Sequence, residues 1–295
     1  MQPPDWNDLR IFLAIARGGQ IARAARALGV DATTIGRRLR KLERDLGQRL
    51  FEQTRDGQAL TQAGERLLAQ VEAMQAAADA IGEPGGASGL SGTLRISVSE
   101  GFGTWYLSPR IADFAAQHPG LTLDLAANSG FLSPSKRETD IAILLARPRA
   151  GQVVASRLTD YALGFYAAAN YLAATGEPRG LGAVRSRTLV GYVPDLLYAP
   201  ELRYLKGLGD GLVPRIRSTS INAQAQAIRA GAGLGILPRF IGDADPTLRR
   251  IVDEVAIRRT FWLVTHRDNQ RLARIEAFKR WIGERVVADA ALFAG

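Results

Sequence analysis

Apolar residues recur at intervals of three and four through roughly the first eighty positions, then give way to short alternating or continuous runs. The first regime predicts helices, the second strands. Over residues 5 to 17, Trp6, Leu9, Phe12, Leu13 and Ala16 form one stripe behind a capping Asp5. The next stretch, QIARAARALGVDATTIGRRLRKLERDL from Gln20, predicts two helices and a tight turn. Ile21, Ala24, Ala25 and Leu28 give the first helix its inward face. Gly29 falls where a helix ends in a left-handed residue. Asp31 falls where an N-cap accepts the amide of Thr33 or Thr34. Ile35, Leu39, Leu42 and Leu46 are the apolar face of the second helix.

In GQRLFEQTRDGQALT, Leu50 and Phe51 are anchors, and Asp56-Gly57 signals a two-residue hairpin, a wing with Arg55 at its tip. Thr61 opens a long helix. Leu60, Gly64, Leu67, Val71, Met74, Ala78 and Ile81 repeat along it at spacings of four and three, a heptad seam. Such a seam packs on its own domain or on a second copy of the chain. Its continuation past the wing into a linker favours the second copy. The linker is GEPGGASGLSG, residues 82 to 92.

From Thr93 the pattern alternates strands and helices. Strands are expected over 93–99, 121–126, 141–145, 161–168, 188–192, 214–218, 233–237 and 261–266. Helices are expected to begin at Ser108-Pro109 and Asn170, to cover 221–230, and to close the chain over about 269–290. This β-α-β order implies a largely parallel sheet. Ligands in such sheets bind beyond the carboxyl ends of strands, near helix N-termini. That rule selects Ser99, Gly101, Phe102 and Thr104 in one lobe, and Tyr192, Ser218 and Thr219, with the residues on to Asn222, in the other. Ordinary capping and turn formation is the alternative role for each.

Charge alters the picture most in the second helix of the pair. Opposite its apolar face stand Thr33, Thr34, Arg37, Arg40, Lys41 and Arg44, with Arg38 beside them. A helix so divided packs on its neighbour and presents hydroxyls and cations to a major groove; a merely solvated basic face is the other reading. Arg55 could enter a minor groove or hold a phosphate, or be an ordinary exposed turn residue. The whole chain, 295 residues with net charge +9, suits a polyanionic partner and more than one domain. Hydrophobic residues at 46% are enough to build real cores. With no Cys and two His, thiolate and transition-metal sites have no ligand set, and no cofactor is expected. His118 and His266 lie in no spacing with Ser or Asp that suggests a triad. GAGLG lacks the phosphate-loop Lys. An enzyme is not expected. The N-terminal MQPPDWNDLR has no apolar signal core and no run of about 18 apolar residues follows, so a cytoplasmic protein without a membrane partner is expected.

Taken together, DLRIFLAIARGG, ARAARALGVDATTIGRRLRKLERDLG and RLFEQTRDGQALTQAGE resemble the head and linker helix of LysR-type transcriptional regulators over residues 1 to about 92. GAGLGILP, 231–238, is a stretch typical of the same family. The resemblance implies a winged helix-turn-helix over 1–60, a dimerising linker helix and hinge over 61–92, and an effector-binding domain over 93–295. That domain would resemble two-lobed periplasmic binding proteins, with α/β lobes of about 93–160 plus 267–295 and of 161–266. Ser99 matches the family's polar residue at the end of the first strand, and Asn128, Ser129 and Arg147 fall near cleft-lining positions. The implied partners are double-stranded DNA, a small-molecule effector and further copies of the chain, as dimer and then tetramer. Arg147 with the hydroxyls and aromatics suits a small carboxylate or aromatic acid. One departure matters: family members often carry Ser-Gln where this chain has Asp31-Ala32, and Ser where it has Gly36. Readout then falls to Thr33, Thr34 and Arg37.

Two other readings remain open. A solute-binding protein explains residues 93–295 but not the first 92. An architectural DNA protein explains the head but gives no purpose to the two-lobed sheet.

Overall fold

A computed structural model describes residues 4–54, 57–81, 89–128, 133–135, 138–209, 211–255 and 257–294. The chain divides into two compact units, Met1–Ser88 and Gly89–Gly295.

The first unit contains α1 (Trp6–Gly18), α2 (Ile21–Leu28), α3 (Ala32–Leu46), the hairpin β1 (Phe51–Thr54) and β2 (Gly57–Leu60), and α4 (Gln62–Ile81). Asp5 caps α1 by accepting from the amide of Asn7 at 2.9 Å. Gly29 ends α2 at φ 64°, and Asp31 caps α3 by accepting from the Thr33 amide at 2.7 Å. The apolar faces meet as expected: Leu9, Phe12, Leu13, Ala24, Ala25, Ile35, Leu39 and Leu42 are buried in one core, with Leu50 and Phe51 closing it. Burial of this kind supplies most of a short helix's stability.

The wing differs from its expected form by one residue. Thr54 pairs with Gly57, so Gly57 is the first residue of β2 rather than part of the turn. Its φ is +135°, and a Cβ there would lie 2.3 Å from the carbonyl oxygen of Gly19. The next residue, Gln58, donates its amide to that same oxygen at 2.7 Å. Glycine is required because wing and α1–α2 turn meet backbone to backbone. Arg55 lies outside the described residues, as does linker segment 82–88.

Helix α4 begins as expected at Thr61, whose Oγ1 accepts from the Gly64 amide at 3.1 Å. Its seam divides. Val71 is buried in the head core, joined by Leu68, which the heptad count had not placed in the seam. Met74, three residues further on, is 47% exposed. The seam as far as Val71 therefore packs on its own domain, while Met74 faces solvent.

The second unit is built on one nine-stranded sheet. Its strands are β3 (Gly92–Ser99), β4 (Leu121–Asn128), β5 (Ile141–Leu144), β6 (Val153–Ala168), β7 (Leu189–Tyr192), β8 (Ile216–Ser218), β9 (Leu234–Pro238), β10 (Leu248–Ile251) and β11 (Ile257–His266). A six-residue π-helix, Phe102–Leu107, follows β3, and α5 (Ile111–Gln117) follows that. The α-helices that follow are α6 (Ala169–Thr175), α7 (Gly180–Val184), α8 (Ile221–Arg229), α9 (Arg239–Gly242), α10 (Ala273–Ala288) and α11 (Ala290–Ala294). The strand order is β4-β3-β5-β11-β6-β9-β7-β8, with β10 also paired to β6.

The sheet is mixed rather than largely parallel. Strand β3 runs parallel to β4 and β5, and β7 runs parallel to β8 and β9. The strands between them are antiparallel because β6 is twice the expected length, and β11 returns along it from Ile257 to His266. The first half of β6, from Val153, is polar and half-exposed, so only its second half, Tyr161–Ala168, gives the continuous apolar run visible in the sequence. Ser108-Pro109 also do not open a helix. Winding begins earlier, at the π-helix, and Ser108 donates to the Gly103 carbonyl at 2.7 Å inside the turn that follows.

Replacing Gly57 with Ala is expected to destabilise the head by about 1–3 kcal/mol through strain at positive φ and overpacking. Thermal denaturation measures it, and an unchanged midpoint would show that wing and turn are not tightly apposed.

Candidate functional site

Helix α3 carries the first candidate surface. At about 100° per residue, Thr33, Arg37, Arg40 and Arg44 fall within about 60° of one another, opposite Ile35, Leu39 and Leu42. All four are exposed. The three arginines have no hydrogen-bond or ion-pair partner among the described residues. The Thr33 hydroxyl donates to Asp31. That bond and the Thr33 amide hold the Asp31 carboxyl below its usual range. The hydroxyl keeps acceptor capacity only. Thr34 is half-buried at the first turn.

Arg38 and Lys41 do not join this stripe. Both turn toward Asp8 of α1, which is only 2% exposed. Lys41 Nζ lies 3.0 Å from one carboxylate oxygen, and Arg38 Nη1 lies 3.5 Å from the other. Asp45 adds a second carboxylate to Lys41 at 3.4 Å. The bond to Asp8 and its charge raise the Lys41 pKa above the ordinary lysine value. The sequence shows seven basic or hydroxyl positions on α3 but not that a buried acid on another helix holds two cations at the helix–helix seam. The polar Asp8 inside the stripe Leu9–Phe12–Leu13 was the available signal.

The second candidate surface lies where β3 ends. Ser99 is 3% exposed, and its Oγ finds no hydrogen-bond partner among the described residues. It lines a cavity of about 20 Å³ with Gly101, Phe102, Tyr161, Tyr192, Tyr198 and Tyr204, among others. This is room for about one water molecule. Tyr161, Tyr192 and Tyr204 share hydrogen bonds through their hydroxyls. Burial pushes the Tyr204 hydroxyl up to about 12. Phe102 is fully buried against Tyr106 and Phe261, with ring centroids 4.9 and 4.6 Å away, so packing is its main role.

Beside the cavity, one carboxylate joins the two halves of the sheet. Glu100 accepts from Ser220 Oγ at 2.7 Å, from the Ile221 amide at 3.0 Å and from Asn222 Nδ2 at 3.1 Å. These are the first residues of α8 and its cap, the donors that helix N-termini offer to anions. Asn222 also donates to Thr104 Oγ1 at 3.0 Å and accepts from Trp105 Nε1 at 2.8 Å. Thr104 is thus exposed but engaged. Sequence reasoning missed Glu100; the charge set directly between Ser99 and Gly101 was the signal.

The other expected residues are scattered. Ser218 uses its Oγ to accept from the Ser220 amide at 3.1 Å, a turn contact, and Thr219 is half-buried in that turn. Asn128 is the last residue of β4, in register with Ser99. Ser129 lies outside the described residues. Arg147 is exposed and stacked over Trp262 at 5.5 Å, and does not line the cavity. A second cavity of about 220 Å³ lies across the wall formed by Tyr192, Leu202 and Tyr204, lined by Arg203, Lys206 and Gln224 with apolar residues. No group of three or more His, Asp or Glu able to hold a metal occurs among the described residues. No helix of the described residues is long and apolar enough to cross a membrane.

Comparison with known proteins matches both units. Residues 6–65 fit the model of the bacterial regulatory helix-turn-helix protein, lysR family, and residues 87–287 fit the LysR substrate binding domain. The chain is 30% identical over 274 residues to the Mau operon transcriptional activator of Paracoccus denitrificans, covering 92% of this chain and 93% of that one. It is 23% identical over 297 residues to the glycine cleavage system transcriptional activator of Escherichia coli, covering 98% and 96%. Among solved structures, CrgA of Neisseria meningitidis, a LysR-type transcriptional regulator, superposes with a TM-score of 0.60 at 21% identity, covering 95% of this chain and 98% of that one. LysG of Corynebacterium glutamicum with bound effector Arg gives 0.62 at 22%, with the same coverage.

Changing Arg40 to Ala is expected to lower the slope of log affinity for duplex DNA against log salt by about 1, the loss of one phosphate contact. Changing Lys41 to Ala should leave that slope nearly unaltered and lower the melting temperature of the head instead. Equal slope changes for both would show that Lys41 leaves Asp8 for DNA.

Proposed function

The chain belongs to the LysR family of bacterial transcriptional regulators, and we propose that its head reads one operator through Thr33, Thr34 and Arg37 while Arg40 and Arg44 hold phosphates. The observation that carries this is the stripe of partnerless arginines on α3 opposite its buried face. An N-terminal threonine pair followed by arginines at successive turns gives base contacts near the helix start and backbone contacts behind. Arg38 and Lys41 serve mainly to seat α3 on α1 through Asp8. Gly36 and Ala32 offer no hydrogen bond to a base, so the sequence preference rests on fewer side chains than the family pattern suggests. Arg55, which follows β1 in sequence, is the further minor-groove or phosphate contact of this reading.

The protein is a regulator and not an enzyme: its two matched domains are a DNA-binding head and an effector-binding domain. Two copies pair through the free half of the α4 seam around Met74, whose exposure supports this, and pairs of dimers give tetramers. The domain boundaries 1–60, 61–92 and 93–295 follow from the same reading. The hinge gives up its last residue, Gly92, to β3.

The effector binds at the Ser99 end of β3. LysG, of the same architecture, carries a bound effector. Here the orphaned Ser99 hydroxyl and the tyrosine-lined wall support the aromatic part of the expected ligand. The carboxylate part lacks the cation it relied on, because Arg147 stands away on Trp262. An effector moves the regulator only by the difference in its affinity for two arrangements.

Selection from a random duplex pool at two salt concentrations should enrich a two-fold symmetric site with half-sites one or more helical turns apart. Binding that is only salt-dependent would favour an architectural protein. At the selected site, Arg37→Ala should cost about 1–3 kcal/mol and relax base preference; equal weakening on random DNA would make Arg37 a phosphate contact. Ser99→Ala should leave operator binding intact and blunt the effector response, and an undiminished response would remove Ser99 from the site.

A further inference from the structure

We propose that the effector is a small organic ammonium, held against the Ser99 hydroxyl and the tyrosine wall beside the carboxylate of Glu100. The inference rests on the reading of the Ser99 cavity as the effector site and names the class of molecule it takes.

The anion seat of this site is already filled. The α8 N-terminus, where a ligand carboxylate would find three donors, spends them on Glu100. A second carboxylate entering here would displace Glu100 or lose its hydration beside a like charge, which is costly in a buried site. No Lys or Arg lines the cavity to offset that. A cation meets the opposite conditions. Glu100 Oε2 accepts one bond, from the Ile221 amide, and a carboxylate oxygen accommodates two. Ser99 Oγ is buried without a partner, a free acceptor beside Gly101 of the same wall. Tyr192, Tyr198 and Tyr204 line the cavity with rings of the kind that attract ammonium groups, and Tyr161 joins them, stacked on Phe261. Glu100 does not itself line the cavity, but its two chain neighbours, Ser99 and Gly101, and Ile221, whose amide it accepts, all do.

The cavity holds about one water in this arrangement. Binding must therefore widen it, loosening the contacts that tie Glu100, Thr104 and Trp105 to the start of α8. The ligand that neutralises Glu100 is thereby also the one that alters how the two halves of the sheet are joined.

The test is titration calorimetry on the full chain with ethylammonium, ethanol and propionate, which share an ethyl tail. Ethylammonium should bind at least about tenfold more tightly than the other two, one charge-assisted bond's worth. Glu100→Gln should remove about that factor while Glu100→Asp, which keeps the charge, retains most of it. Equal or tighter binding of propionate, no binding of ethylammonium, or an unchanged ethylammonium affinity in Glu100→Gln would each overturn the proposal. The comparison of the three probes on the unaltered chain stands even if a variant fails to fold. Operator binding on the same samples separates the two readings. If an acid alone alters operator binding, the regulator reading stands and the ammonium falls; if sequence-specific DNA binding is absent, the regulator reading falls whatever the ammonium does.

Discussion

The regulatory unit hangs on a single strand. Backbone hydrogen bonds tie β6 to β11 along its first half and to β9 and β10 along its second, so one covalent segment belongs to both halves of the sheet. A ladder of that length leaves the halves little freedom to separate at β6 itself. Relative movement must be taken up at their margins, where side chains rather than backbone make the connection. The contact of Glu100 with the start of α8 is such a connection, made by charge-assisted hydrogen bonds. In the proposed mechanism the spine keeps the site assembled while the clasp yields to the effector.

The head solves a different problem, placing many cations on one short helix without scattering them. A buried carboxylate does this. Asp8 draws Arg38 and Lys41 to the α1–α3 seam, and what remains in solvent is a narrow row of arginines behind Thr33. A cation held by a buried acid adds little to DNA affinity, because leaving would strand the acid uncompensated. On the reading proposed for the head, the charge of α3 overstates its reach toward phosphate, since Arg38 and Lys41 pair with Asp8.

Glycine 57 shows how local chemistry and long-range packing can mislead one another. Asp-Gly announces a hairpin, and a hairpin forms. Yet the glycine serves a neighbour distant in sequence: the carbonyl of Gly19, which receives the wing's amide. In the same way Val71 fits a dimer seam by spacing but is consumed by the head's own core. Periodicity states that a residue is to be covered, and is silent about what covers it.

The sequence by itself determined the helices of the head, the caps at Asp5, Asp31 and Thr61, the stop at Gly29, and the strands after the linker except β10. These depend on contacts within a few residues, where spacing and side-chain chemistry act directly. The rule that ligands bind beyond strand ends also picked out Ser99 and the start of α8, which meet at one cavity. Only the tertiary structure decided which cations stay free, how β6 doubles in length to give a mixed sheet, and which tyrosines gather at the cavity. Tyr161, Tyr192, Tyr198 and Tyr204 come from separate segments, and Glu100 meets Ser220 across 120 residues. Pairings at such separation are fixed by the packing of whole elements, and no local pattern carries them.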